Sequence, residues 1–148
     1  MKKILLISIF LITSCGYQPI YLNKNPDNFI FKKITTSGDK TLNRKIVNIA
    51  SISEDSDRMF KNELILKSKI EIEETSRNSK GQVSSFRSII TVNLTIKNNE
   101  LIVKNKVFVG DFSYNNRDNK FDLVEYQDEV KNNIINKIIE EIIIYINL

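Results

Sequence analysis

Histidine and tryptophan are absent from the 148 residues, and Cys15 is the single cysteine. These absences exclude much chemistry. Without a second thiol no intrachain disulfide can form. Without imidazole, the His-dependent nucleophile–base pairs and the usual His/Cys zinc sites are missing. Carboxylates remain, and the one acidic grouping worth naming is Asp111, Asp118, Asp122 and Glu125. Acids there equally suit a solvated loop and the positive end of a helix dipole. The sequence therefore predicts a protein that is not an enzyme and holds neither cofactor nor metal. Proline is scarce as well, and both copies, Pro19 and Pro26, fall between residues 15 and 28.

Lys2 and Lys3 precede an apolar run from Ile4 to Ile12, broken only by Ser8, and Thr13, Ser14 and Cys15 follow it. Nine helical residues rise about 14 Å, roughly half of a ~30 Å hydrocarbon core, so the run reads as a signal peptide rather than a span. A cysteine directly after one aliphatic and two small residues marks a lipoprotein signal, because its thiol can be alkylated by a diacylglyceryl group. Residues 1–14 are thus expected to be removed, with Cys15 as the lipidated N-terminus. Two or more acyl chains hold a protein stably at a bilayer. Gly16 follows the cysteine; an Asp there commonly favours retention in the inner membrane, so Gly16 points to the outer membrane. Residues 15–28 read as an extended tether. Losing Lys2 and Lys3 from 22 basic residues leaves 20 against 18 acidic ones, a formal charge of +2 that selects no partner.

From residue 29 onward the pattern is that of one domain. Phe29 to Thr36 is apolar and β-branched, which predicts a strand. Leu42, Ile46 and Ile49 at helical spacing predict a helix from Lys40 to Ala50, followed by a polar loop from Ser51 to Arg58. Glu63 to Glu74 alternates, with Leu64, Leu66, Ser68, Ile70 and Ile72 on one side. Val83 to Lys97 alternates again, with Phe86, Ser88, Ile90, Val92, Leu94 and Ile96 on one face. Asn98 and Asn99 suit a two-residue hairpin turn, so Lys97 is expected to face Glu100, and Ile96 to face Leu101, in a strand running to Tyr114. After a polar loop, Asn119 or Asp122 caps a long amphipathic helix from Leu123 to Ile146. The expected architecture is an α+β two-layer sandwich: a four-stranded, mostly antiparallel sheet with two helices on one face, in the order β-α-β-β-β-α.

That register also predicts what lies on the uncovered face. Thr91 is expected beside Lys106 and Lys69, and Asn93 beside Lys104 and Lys67. Four lysines around two small polar residues would form a basic square able to hold phosphate groups. Ile89, Phe108 and Phe112 are expected to continue that face as an apolar region, and the pair would suit a charged amphiphile. Lysines on a wet sheet face also serve solubility and edge protection. Nucleic acid is not an expected partner, since the export signal removes the chain from the cytoplasm and the aromatics form no RNA-stacking motif.

The run Ile12 to Tyr21, ITSCGYQPIY, resembles the start of the LPS-assembly lipoproteins of the LptE family in α-proteobacteria. The likeness extends to the order of elements, to Phe112, Ser113, Tyr114 and Asn115 before the last loop, and to the long final helix. Heavy use of Asn, Lys and Ile departs from many relatives. The resemblance implies a lipoprotein on the periplasmic side of the outer membrane. It would sit inside a large β-barrel partner, assist that barrel's assembly, and help pass lipopolysaccharide to the cell surface. An auxiliary lipoprotein of a phospholipid-transport system and a generic periplasm-facing lipoprotein are the alternatives.

Overall fold

The computed structural model describes residues 29–57 and 61–148. The expected signal peptide, the acceptor Cys15 and the segment 15–28 lie outside the described residues. The elements in chain order are β1 (Phe29–Phe31), β2 (Lys33–Gly38), α1 (Lys40–Ile49), β3 (Ile52–Glu54), β4 (Asn62–Arg77), β5 (Val83–Asn98), β6 (Leu101–Asn115) and α2 (Lys120–Asn147). Four strands form one sheet in the order β2-β4-β5-β6, while β1 and β3 pair separately. β2 runs parallel to β4, and the two remaining pairs are antiparallel. With α1 and α2 on one face, this is the expected α+β two-layer sandwich.

The first crossover is built by Gly38, Asp39 and Asn43. Gly38 has a φ of +88°, and a Cβ there would lie 1.9 Å from the Ser68 carbonyl oxygen, so only glycine fits. Asp39 then caps α1, its Oδ1 accepting from Leu42 N at 2.8 Å. Asn43, buried in the first turns of α1, donates from Nδ2 to Ser37 O at 2.9 Å and ties the helix back to β2. Leu42 and Ile46 enter the core.

The β4–β5 hairpin has the alternation predicted for it. Leu64, Leu66, Ile90, Val92 and Leu94 are wholly buried on the helix side. Its loop is closed by Asn78, whose Oδ1 accepts from the backbone N–H groups of Lys80 and Gln82, an arrangement Asn side chains favour in turns. Asn119, rather than Asp122, caps α2 by accepting from Phe121 N at 2.9 Å. The helix buries Val130, Ile134, Ile135, Ile138, Ile139 and Ile142, and it stays helical through Asn147.

Three expectations are corrected. The opening strand is broken at Lys32 into β1 and β2, and β1 takes a partner, β3, from within the loop expected to be irregular. The larger correction concerns β6. Asn98 pairs with Leu101, so the turn residues are Asn99 and Glu100, at φ 47° and 72°. An irregularity between Ile96 and Lys97 then sets Ile96 opposite Lys104 instead of Leu101. From Lys104 onward the displacement is an odd number of residues, so those β6 side chains face the side opposite to that predicted.

Packing explains the choice. In the observed phase Phe108 and Tyr114 fill the space beneath α2, at 1% and 5% exposure, while Val103, Val107 and Val109 stay in solvent. An aromatic ring buries roughly 150–250 Å², more than the valines would. Tyr114 also stacks on Phe86, meets Tyr126 edge-on, and shares a buried 3.1 Å hydrogen bond with Ser88. Gly110 completes the fit, because a Cβ there would lie 2.5 Å from Ile134 Cγ2.

Candidate binding surface

The face of the sheet turned away from both helices is where the predicted site residues can be tested for position. β4 and β5 place four of them together: Lys67 opposite Asn93 and Lys69 opposite Thr91, the register expected from the hairpin. The alternation of β4 that buries Leu64, Leu66 and Ser68 turns Lys67 and Lys69 out to solvent. Lys69 Nζ lies 2.6 Å from Glu71 Oε1, an exposed pair contributing little.

Lys104 and Lys106 do not join them. They stand opposite Ile96 and Leu94, on the helix side. There Lys104 Nζ donates to the carbonyls of Tyr145 and Ile146, at 3.3 and 3.1 Å. A cation at the last turn of a helix satisfies orphan carbonyls and complements the dipole. Lys106 Nζ lies 4.8 Å from the centre of the Phe108 ring and 5.3 Å from that of Tyr145, within cation–π range. Both lysines thus hold the end of α2 against β6. Phe108 and Phe112, expected on the open face, share this side.

Beside Thr91 and Asn93, β6 brings valines to the open face. Val109 stands beside Thr91, and Val107 beside Asn93, with exposures of 59% and 51%. Two successive rows therefore read Lys69, Thr91, Val109 and Lys67, Asn93, Val107. Across two strand spacings, roughly 10 Å, the surface passes from ammonium groups through small polar side chains to valines. Below them Thr95 Oγ1 donates to Asn105 Oδ1 at 3.3 Å. Above them Arg87 pairs with Asp111 at 2.8 Å. The square of lysines is replaced by a gradient, with its charge on β4 and its apolar edge on β6. The reversed phase of β6 had hidden Val107 and Val109; the aromatics Phe108 and Tyr114, two-residue multiples apart, were the signal that could have revealed it.

A separate cleft of about 440 Å³ opens between the start of α1 and the middle of α2, floored by Ile70. Its rim charges have partners: Lys45 donates to Asn132 Oδ1 at 2.8 Å, Lys131 pairs with Asp128 at 2.7 Å, and Asp39 caps α1. Of the acids around the last loop, Asp111 is held by Arg87 and Asp122 accepts from Asn119 Nδ2. Among the described residues no three His, Cys, Asp or Glu side chains could hold a metal ion. No helix among them is long and apolar enough to cross a membrane.

No protein-family model matches this sequence. No curated protein is significantly similar to it. Solved structures share its fold. One is the rare lipoprotein B of Shewanella oneidensis, 14% identical with a TM-score of 0.50 over 74% of this chain and 92% of that one. Another is a minor lipoprotein of Acinetobacter baumannii, 14% identical with a TM-score of 0.51 over 78% and 90%. A third is an uncharacterized lipoprotein B of Nitrosomonas europaea, 8% identical with a TM-score of 0.55 over 78% and 81%. The likeness is one of fold.

Proposed function

We propose that this chain is a lipid-anchored envelope lipoprotein, attached through Cys15 to the periplasmic side of the outer membrane, which partners a β-barrel in assembling lipopolysaccharide at the cell surface. The observation carrying this reading is a coincidence of two independent features. The segment from Cys15 to Tyr21 resembles the opening of LPS-assembly lipoproteins of the LptE type. The domain that follows has a fold shared with bacterial lipoproteins. Neither feature depends on the other.

The open sheet face supplies the contact for the cargo. Lipopolysaccharide is a phosphorylated amphiphile, and the gradient from Lys67 and Lys69 through Thr91 and Asn93 to Val107 and Val109 matches a phosphate at one side and hydrocarbon at the other. No group on this surface does covalent chemistry in the reading; the domain binds and positions. A phospholipid also fits the gradient, so an auxiliary role in phospholipid transport is the second reading.

Partner identity separates the two. Detergent-solubilised, tagged protein is expected to co-purify stoichiometrically with an outer-membrane β-barrel. Recovery with an inner-membrane transporter or its substrate-binding component would favour the second reading, and recovery as a free monomer alone would count against both.

A further inference from the structure

Exposed aliphatic side chains gather at one end of the domain. At the β5–β6 turn, Leu101, Ile102 and Val103 are consecutive and 75%, 61% and 56% exposed. Ile30 of β1, Ile49 at the end of α1 and Ile144 in the last turns of α2 are exposed too. Backbone contacts put them at the same end. Lys32 N donates to Asn62 O, Asn62 pairs with Asn98, and Asn98 pairs with Leu101. Phe29 N donates to Ser51 O, two residues past Ile49. Lys104, which pairs with Ile96 close to the turn, holds the carbonyls on either side of the Tyr145–Ile146 bond next to Ile144.

This is also the end at which residues 1–28 join the domain, since they lead into Phe29. The surface and the expected anchor therefore coincide. Successive exposed aliphatics at a turn, facing both sides of the sheet, have no role in the domain's own core. Large exposed apolar groups gathered at one place mark an interaction surface. Charge around them is of both signs, Glu63 lying between Lys33 and Lys97 in one row, so the surface does not single out a strongly anionic partner.

We propose that this end of the domain rests against the lipid bilayer, with Leu101, Ile102 and Val103 entering the boundary between headgroups and acyl chains. The occupant is lipid because the chain to be anchored enters here, and because aliphatic side chains with mixed peripheral charge suit a zwitterionic interface. Docking fixes the domain's orientation, with the loops at Asn78–Gln82 and Asn116–Asn119 pointing away from the membrane. It rests on the proposed anchoring at Cys15.

The absence of tryptophan makes a direct test simple. Leu101→Trp and Ile102→Trp each introduce a sole tryptophan at this end, and Phe121→Trp introduces one at the far end, where Phe121 is 77% exposed. The full lipid-modified chain is reconstituted in phosphatidylcholine vesicles with brominated acyl chains, and circular dichroism confirms the fold of each variant. Brominated lipid is expected to at least halve the emission of the two near-end variants and leave that of Phe121→Trp almost unchanged. A chain that sediments with vesicles but is quenched equally at both ends, at the far end only, or nowhere overturns the docking while sparing the anchor. A chain that does not sediment overturns both, because this end would then face no bilayer.

Discussion

A methyl group on Gly110 would lie 2.5 Å from Ile134 Cγ2 and 3.3 Å from Ile138 Cδ1. That one position measures how closely α2 lies on β6. The helix cannot retreat cheaply, because Ile138, Ile139 and Ile142 are already buried beside it. Gly110→Ala is therefore expected to destabilise the domain by about 1–3 kcal/mol, the usual cost of overpacking a core. Denaturant titration of the two forms checks this, and an unchanged midpoint would mean that α2 does not sit against Gly110. Lys104 acts at the same interface by a different force, donating to two terminal carbonyls of α2. A residue expected to meet phosphate instead stabilises a helix end.

At the scale of elements, the irregularity between Ile96 and Lys97, beside the β5–β6 turn, decides the face of β6 from Lys104 onward. Asn99 and Glu100 both have positive φ. Asn tolerates this region, whereas Glu has no local hydrogen bond to offset the steric cost. Asn-Gly is the preferred pair for such a turn. Glu100→Gly is thus expected to stabilise the protein by about 1 kcal/mol, read as a rise in thermal midpoint. Had the turn been Asn98–Asn99, as the sequence suggested, Glu100 would begin a strand and the same change would destabilise. The experiment therefore tests the register as well as the strain.

The same turn shows how far this fold is legible from sequence. Strands β4 and β5 can be read because only one phase of each is strongly apolar, and a Gly-containing loop at Asn78–Gln82 fixes their pairing. Helix α2 can be read from the recurrence of Ile134, Ile138 and Ile142 and from the Asn119 cap. Strand β6 cannot, since Leu101, Val103, Val107 and Val109 compete with Ile102, Phe108 and Tyr114, and only the space beneath α2 chooses between them. β3 escapes for another reason: Ile52–Glu54 is three residues long, with one apolar side chain, and exists because β1 lies alongside. The candidate surface inherits this division, its β4 and β5 residues being legible and its valines not.

At the scale of the whole molecule, the domain has one face covered by helices and one open. Thr91 and Asn93 lie centrally on the open face, between the lysines of β4 and the valines of β6. A basic residue near an anionic lipid surface contributes about 1 kcal/mol. Reversing both charges in Lys67→Glu/Lys69→Glu is accordingly expected to weaken binding of a phosphorylated lipid by on the order of tenfold or more. Both side chains are exposed, so the fold is expected to survive. Equal binding by the folded variant and the parent, measured by fluorescence titration, would remove this face from the functional reading.

Everything proposed at this scale depends on Cys15. The most direct measurement is the intact mass of the protein extracted from membranes. The expected result is a chain beginning at Cys15 whose mass exceeds that of residues 15–148 by a diacylglyceryl group, with or without a further acyl chain. A chain that retains Met1 to Ser14, or one that carries a free thiol at Cys15, would contradict it.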